Sequence, residues 1–321
     1  MLQSMEMDNT KIVFLTGGTG SFGTNFIPLL LSKPEIKMIR IYSRDEHKQQ
    51  ALKEQYRSDR ISFYIGDVRD YDNLKRSMAD SDWVVHAAAL KQAPFGEIYP
   101  EEFIKTNILG SSNVAKAALD NNIDKCLLLS TDKAVYPLNL YGATKMCAER
   151  LFINLNRMKG TKQTKFACTR YGNVANSRGT IVQKFLSLGK TVKVPITNPD
   201  ATRFWIPMHE ANEFVYSVLL NMRGGEIFIP KIRSIKVGTV AHAICPDREW
   251  TIIGERPGDK LHEVLIGENE SFTEYENYYV IEGYSSSHPA WSSNKNGDYL
   301  STEQILESIN GCRSGLEASA Y

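Results

Sequence analysis

The chain comprises 321 residues with a formal net charge of +1; 42% are hydrophobic and 23% charged. That length buries a substantial core, in one large α/β domain or two smaller ones sharing a cleft, and the composition excludes disordered and fibrous classes. A near-neutral balance with no dense lysine or arginine run excludes the electrostatic footprint of a nucleic-acid binder, so an anionic ligand has to be held locally.

Apolar runs at Lys11–Thr16, Met38–Tyr42, Ile61–Ile65, Trp83–His86, Lys125–Ser130 and Lys165–Tyr171 read as buried strands. Helical patterns at Phe22–Ser32, Asp45–Tyr56, Tyr71–Ala79, Glu101–Asn122 and Tyr141–Arg157 alternate with them and are long enough to act as crossovers. This rhythm predicts βαβ units and an α/β fold, a Rossmann-type doubly wound parallel sheet occupying residues 1–172. Beyond Asn173 the strand candidates shorten (Val192–Ile196, Glu226–Ile229, Thr251–Gly254) around a helix near Glu210–Met222. Residues 173–284 are therefore expected to form a smaller C-terminal substrate-binding lobe, partly interleaved with the first. The Ser-, Asn- and Gly-rich stretch 285–321, with a short helical segment at Ser301–Ser308, is expected to be a partly mobile tail.

No apolar run approaches the roughly 20 residues that span a bilayer, and Met1–Thr10 is polar, so no anchor or signal peptide is expected and the expected location is cytoplasmic. Cys126, Cys147, Cys168, Cys245 and Cys312 form no C-x-x-C pair. They are expected to be reduced thiols with neither a disulfide framework nor a metal site.

Directly after the first strand, Thr16-Gly17-Gly18-Thr19-Gly20-Ser21-Phe22-Gly23 sets glycines in a G-x-x-G-x-x-G pattern where strand turns into helix. Glycine permits the tight turn and lets the backbone reach a pyrophosphate, whose charge then sits at the helix amino terminus. At the end of the second strand an acidic side chain would bind the ribose 2′-hydroxyl of NAD, whereas a basic one accommodates the extra phosphate of NADP. Here Ser43, Arg44 and Lys48 favour NADP, and Asp45 keeps NAD as the lesser alternative. Asp67, followed by Val68, is expected at the adenine edge, although an acid in that position also suits a helix cap. Ala87, Ala88 and Ala89 supply small side chains along the cofactor's path.

Tyr141 and Lys145 share one face of a helix that follows the fifth strand. A neighbouring ammonium favours the phenolate and would make Tyr141 a base toward an alcohol while hydride leaves for a nicotinamide. Thr131, Asp132 and Lys133 stand at the carboxyl end of that fifth strand, where the ligands of such sheets gather. An acid and an amine side by side there can serve one substrate as proton donor and acceptor, where elsewhere they would be a solvated charge pair.

With these motifs in place the chain resembles the inverting UDP-N-acetylglucosamine 4,6-dehydratases of the extended short-chain dehydrogenase/reductase family, the type that feeds pseudaminic acid and related bacterial sugars. The likeness runs from about Lys11 to about Tyr284. It is carried by Thr16–Gly23, Ser43-Arg44-Asp45, His86–Gln92, Lys105-Thr106-Asn107, Ser130–Ala134, Asn139–Lys145, Arg170–Val174, Ser177-Arg178-Gly179 and Arg256–Glu263. Asp132-Lys133 is the most diagnostic, because retaining dehydratases carry Asp-Glu at that point. Phe95 and Gly96 stand where the family more often has small residues, and Asn176 where a smaller residue is expected.

The resemblance implies cofactor contacts from Gly17, Thr19, Gly20, Ser21, Phe22, Gly23, Ser43, Arg44, Lys48, Asp67, Val68, Ala87–Ala89, Lys91, Asn107, Tyr141 and Lys145. It places Asn173, Arg178, Arg203 and Arg256 near the diphosphate and sugar, Val194 to Thr197 near the base, and Lys91 and Glu263 among the substrate contacts. Arg203 and Arg256 also suit plain structural ion pairs, and His209 and His262 read as structural. The implied reaction on a UDP-sugar runs through oxidation at C4, loss of water across C5 and C6, and return of the hydride at C6. Tyr141 would be the first base with Thr131 assisting, Lys133 the C5 base with a lowered pKa, and Asp132 an acid with a raised one. The likeness also implies a homo-oligomer. A nucleotide-sugar epimerase, or a combined dehydratase and epimerase, would use Tyr141 identically. A cofactor-sensing regulator on the same fold is the reading from another class, and such proteins lose the Tyr-Lys pair.

Overall fold

The computed structural model describes residues 10–175, 177–189, 191–283 and 288–310. Its first half is the expected alternation. Strands β1 (Lys11–Thr16), β2 (Ile36–Ser43), β3 (Ile61–Ile65), β4 (Trp83–His86), β5 (Lys125–Leu129) and β6 (Lys165–Thr169) are joined by helices α1 (Ser21–Ser32), α2 (Glu46–Tyr56), α3 (Tyr71–Met78), a broken helical crossover, and α7 (Leu140–Met158). The broken crossover holds α4 (Ala93–Ile98), α5 (Pro100–Phe103), a π-helical turn at Ile104–Leu109, and α6 (Gly110–Asp120). The sheet order β3-β2-β1-β4-β5-β6 reverses direction between β1 and β4 and so opens a crevice at their carboxyl ends. Val13, Phe14, Leu15, Val84, Val85, Leu127 and Leu128 are sealed inside, as strands covered by helices on both faces require.

One continuous helix was expected over Glu101–Asn122, and the structure has helical backbone from Pro100 to Asp120, widened by the π turn at Ile104–Leu109. At the π turn the side chain of Asn107 swings out to bind the backbone of Leu90, accepting from its N–H at 2.8 Å and donating to its carbonyl at 2.9 Å. The Ser111 hydroxyl takes the Asn107 carbonyl at 2.6 Å. The wider turn thus exchanges helical bonds for a tie between this crossover and the loop after β4.

After β6 the chain alternates between two bodies. Strands β7 (Asn173–Val174), β9 (Thr202–Ile206) and β11 (Arg233–Lys236) make one small sheet, and β8 (Val194–Ile196) pairs with β12 (Trp250–Ile252) in another. Helices α8 (Ile181–Ser187) and α10 (Val237–Ile244) pack there, whereas α9 (Met208–Asn221) lies against α1. By contrast β10 (Ile227–Pro230) returns to the main sheet beside β6, followed by β15 (Tyr278–Gly283) and β14 (Ser271–Glu274) as an antiparallel edge. The boundary expected at residue 172 is therefore crossed repeatedly, and the sheet is not wholly parallel.

β13 (Val264–Ile266) pairs with β16 (Trp291–Ser292), and α11 (Thr302–Asn310) closes the small lobe. Residues 288–310, expected to lie in a mobile tail, are built into the fold: Ile305 and Ile309 are buried in the second core beside Trp205 and Val240. The apolar spacing of that short helix, masked in sequence by the turn clusters before it, explains the difference. Residues 1–9, Asn176, Tyr284, Ser285–Ser287 and 311–321, Cys312 included, lie outside the described residues. Cys126, Cys147, Cys168 and Cys245 are free thiols. Among the described residues no helix is long and apolar enough to cross a membrane and no side-chain cluster has metal-ligand spacing.

Candidate active site

A cleft of about 490 Å³ lies over the crevice between β1 and β4, lined by Gly17, Thr19, Gly20, Ser43, Arg44, Asp45, Lys48, Asp67, Val68, Ala87, Ala88, Ala89, Leu90, Thr106 and Arg178. Gly17 turns with φ +68°, and a Cβ there would stand 2.8 Å from the Ala88 backbone, so the loop sits too close to β4 for any side chain. Gly20 caps α1 without a side-chain bond, which leaves the helix's first N–H groups turned toward the cleft. This cradle fits the pyrophosphate of a nicotinamide dinucleotide. At the rim the Gln49 amide donates to the Ser43 hydroxyl at 3.0 Å, Arg44 stands 3.6 Å from Asp67, and Lys48 pairs with Asp45. Asp67 also accepts from the Arg69 guanidinium at 2.6 and 2.9 Å, which with the Arg69 backbone bond holds its carboxyl below the usual range against the opposing effect of burial.

Several expected cofactor residues lie elsewhere. Phe22 packs on Phe26 with ring centroids 4.9 Å apart, and Gly23 serves the tight packing of α1 on Gly18. Asn107 is buried and spends its amide on Leu90 and on the Thr144 hydroxyl at 3.0 Å, so it braces the cleft wall without facing it. Ser21 offers its hydroxyl to Arg178, accepting from that residue's backbone N–H at 3.0 Å. Arg178, expected at the sugar nucleotide, reaches the Thr19 carbonyl at 2.8 Å and so roofs the dinucleotide cleft.

The chemical groups gather where β5 ends. Thr131 opens a short 3-10 turn, Asp132–Ala134, which presses on α7: a Cβ on Gly142 would stand 2.2 Å from the Lys133 carbonyl. This close approach sets Tyr141, on the first turn of α7, beside the triplet. Asn139 caps the helix, accepting from Gly142 N–H at 2.9 Å, and its amide donates to the Gly258 carbonyl of the small lobe at 2.9 Å. The Thr131 hydroxyl is close enough to the Tyr141 phenol to act on it. Burial raises its phenol to about 12, against the opposing pull of Lys133 and Thr131.

Lys145, expected to tune Tyr141 directly, is turned to the backbone at the end of β5. The Lys145 ammonium, buried, donates to the Leu129 carbonyl at 2.7 Å, and burial lowers its pKa to about 8. The cation acting on Tyr141 is Lys133.

Asp132 is wholly buried, and one oxygen, Oδ1, accepts from Thr131 at 2.9 Å and Lys133 at 3.1 Å. Its Oδ2 is buried with no hydrogen-bond partner among the described residues. Burial, reinforced by the charge of Glu263, holds the Asp132 carboxyl above its ordinary range, as expected for an acid. Lys133 departs from expectation. Burial pulls its ammonium down, but Asp132 and Glu263 together outweigh this and hold it above the usual lysine range. The Glu263 carboxylate lies 3.1 Å from the Lys133 Nζ and 3.5 Å from that of Lys260, a residue the sequence reading passed over. Lys260 carried no signal because nothing in the local pattern pairs it with β5.

Among the expected substrate contacts, Asn173 stands on β7 with Oδ1 buried and without a hydrogen-bond partner among the described residues. Arg203 on β9 donates to the carbonyls of Thr202 and Leu261, and its charge reaches Lys133 and Glu263. Lys91 donates to the Ser177 hydroxyl at 3.4 Å near the cleft's inner end. Arg256 is half-exposed, 4.0 Å from Asp259, and Thr197 follows β8 half-buried. Val194 is corrected: it is fully buried in the second core beside Val182, so its side chain cannot meet a nucleotide base. His262 accepts or donates at 2.8 Å with Thr202, a structural contact as expected.

A family model described as polysaccharide biosynthesis protein matches residues 13–283. The chain belongs to this family. A UDP-N-acetylglucosamine 4,6-dehydratase (inverting) of Campylobacter jejuni is 48% identical over 280 residues, covering 86% of this chain and 84% of the relative. A UDP-glucose 4-epimerase of Rickettsia felis is 40% identical, covering 81% of this chain and 79% of its own. The crystal structure of Pen from Bacillus thuringiensis superposes with a TM-score of 0.89 at 30% identity, covering 96% of this chain and 99% of that one. The polysaccharide biosynthesis family member described here thus has the extended short-chain dehydrogenase/reductase fold over nearly all of its length.

Proposed function

We propose that the protein is an NADP-dependent UDP-N-acetylglucosamine 4,6-dehydratase that inverts C5, giving a UDP-4-keto-6-deoxy-L-arabino-HexNAc sugar for bacterial surface glycan or pseudaminic acid synthesis. The observation that carries this reading is the corner at the end of β5. A buried acid with a raised pKa, Asp132, and the cation Lys133 stand beside Tyr141, next to the dinucleotide cleft. The 48% identical relative named for that reaction supports the substrate.

Gly17–Gly20 and the amino terminus of α1 would hold the pyrophosphate of NADP, and Ser43, Arg44 and Lys48 would hold its 2′-phosphate. When bound, NADP supplies the acceptor for the C4 hydride and its return to C6. Tyr141 Oη, its own proton first released to solvent and the phenolate favoured by Lys133 and Thr131, takes the proton of the sugar 4-hydroxyl. Asp132 holds its proton at Oδ2 and gives it to the departing 6-hydroxyl. Lys133 Nζ takes the proton from C5, acidified by the ketone at C4, and a water molecule reprotonates C5 from the opposite face. Asn173, Arg203, Arg256 and Lys91 hold the diphosphate and sugar. We further read the protein as a cytoplasmic homo-oligomer, with exposed Phe95, Ile98 and Tyr99 on and after α4 as part of its self-association surface.

A proton NMR time course of UDP-N-acetylglucosamine with the purified protein in D₂O, without added reductant, tests the reading. A 6-methyl signal, deuterium at C5 and an L-configured 4-keto sugar are expected. A 4-epimer with no methyl signal would move the protein to the epimerases, the activity named for the Rickettsia relative.

A further inference from the structure

Lys133 cannot remove a proton from carbon while its nitrogen carries three of its own, and the structure surrounds it with groups that keep it charged. Its Nζ stands 3.1 Å from Asp132 Oδ1 and 3.1 Å from Glu263 Oε1. Arg203, Tyr141 and Lys260 are the other titratable or charged groups that face this cluster. Two carboxyl groups are in reach of the Lys133 proton, and the proposed chemistry separates them. Asp132 must carry a proton of its own to release water at C6, and a carboxylic acid cannot accept another. Its Oδ1 is also already occupied by the Thr131 hydroxyl.

Glu263 has the opposite character. It comes from the small lobe, 130 residues from Lys133 in sequence. Its backbone is fixed on both sides by Ser293, whose hydroxyl accepts the Glu263 N–H at 2.9 Å and whose N–H donates to the Glu263 carbonyl at 2.8 Å. The side chain is buried, at 3% exposure, and its Oε2 has no hydrogen-bond partner among the described residues. Such a carboxylate is closed off from solvent and touches two ammonium groups, Lys133 at Oε1 and Lys260 at Oε2. Lys133 is the most open member of the cluster, at 28%.

Resting on the reading above, we propose that Glu263 is a positioning residue that takes the Lys133 proton when the sugar covers the cleft, and that this transfer turns Lys133 into the C5 base. One N–H bond of the ammonium breaks and one O–H bond forms at Glu263; no electrons are gained or lost. Rotation about the Cε–Nζ bond then turns the free lone pair toward C5. The driving change is loss of water from the exposed flank of Lys133, since a neutral amine and acid cost less to hold in a dry site than an ion pair. Lys260 and Arg203 hold Glu263 ionised until then, the direction in which the two cations move its carboxyl.

The test separates C5 proton exchange from hydride transfer. Deuterium incorporation at C5 and transient reduced-nicotinamide absorbance are followed in the NADP-loaded enzyme with UDP-N-acetylglucosamine in D₂O. In Glu263→Gln, hydride transfer is expected within about threefold of wild type and C5 exchange is expected to fall by about 100-fold or more. Exchange in this variant should also climb about tenfold per pH unit from neutrality upward, as solvent replaces Glu263 in deprotonating Lys133, where wild type is flat. A purely structural role would not produce that slope. Exchange near the wild-type rate with a flat profile would overturn the proposal, as would loss of both steps at every pH. Should Glu263→Gln not fold, Glu263→Asp is read instead: slowed exchange with hydride transfer retained supports the relay, and unchanged exchange overturns it. Lys133→Met keeps the two levels apart. Exchange that survives in Lys133→Met removes Lys133 as base altogether, whereas exchange lost there but kept in Glu263→Gln removes only Glu263.

Discussion

The two ends of the site are built by different means. The dinucleotide end is a matter of backbone: a left-handed Gly17, an uncapped helix amino terminus and three alanines, all contributed by short segments that follow their own strands. The sugar end is a matter of charge, with Asp132 and Lys133 from β5 answered by Lys260 and Glu263 from the far lobe. Local geometry suffices to grip a cofactor, whereas the elimination chemistry needs groups whose proton affinities are set by partners brought in through the tertiary fold. The same division predicts that damage at one end leaves the other intact.

The largest effect is expected at a buried ion cluster of the main body. Arg170, fully buried, donates to Glu149 of α7 at 2.7 and 3.0 Å and to Glu270, just before β14, at 2.8 and 2.9 Å. Replacing it with methionine strands two carboxylates without their cation, and a loss of about 3–5 kcal/mol in chemical denaturation is expected, since breaking a buried pair costs far more than the pair contributes. A loss under about 1 kcal/mol would mean that apolar packing alone holds α7 to this edge of the sheet.

At the cofactor end, Gly17→Ala adds a Cβ at 2.8 Å from Ala88 on a residue whose φ is +68°. Strain of about 1–3 kcal/mol is expected, read as a comparable loss of NADP affinity by titration calorimetry with the C5-exchange machinery unchanged in the residual bound fraction. Arg44→Ala sharpens the contrast further: NADP binding should weaken by about 10-fold, the loss of one forked phosphate contact, while NAD binding should not weaken.

A further effect is a pH dependence that does not involve the reacting groups. His86, buried between the hydroxyls of Thr16 at 2.7 Å and Ser111 at 3.0 Å, has its pKa lowered by burial from 6.5 to about 3. The unfolded chain therefore binds a proton that the folded chain refuses between those values. Stability is fully present above pH 6.5 and falls as the pH drops toward 3, by up to about 1.4 kcal/mol per unit. In His86→Asn the acid slope of the unfolding midpoint should be shallower by that one proton.

Most of the fold was legible because its signals are local. Period and punctuation placed β1 to β6 and α1, α2, α3 and α7 within a few residues, and the glycine pattern located the cleft. What escaped were features set by contacts distant in sequence. The π turn at Asn107 answers to Leu90, the burial of Val194 answers to the second core, and the packing of the expected C-terminal helix, Thr302–Asn310, answers to α10. Within the site, Thr131, Asp132, Lys133 and Tyr141 were legible as a group because β5 delivers them to one edge. The ionisation of Lys133 was not, because it depends on Glu263, which the sequence placed among the substrate contacts and not as the ion partner of Lys133.

The central claim is that hydride transfer and water loss are served by separate groups, and Asp132→Asn tests it most directly. A single turnover of the NADP-loaded variant with UDP-N-acetylglucosamine is followed by nicotinamide absorbance and by proton NMR. Asparagine keeps the shape and cannot give up a proton, so the account predicts that reduced nicotinamide appears and persists while the 6-methyl signal is slowed by about 10²–10⁴-fold. A methyl signal forming at the wild-type rate, or no nicotinamide reduction at all in a folded variant, would contradict it.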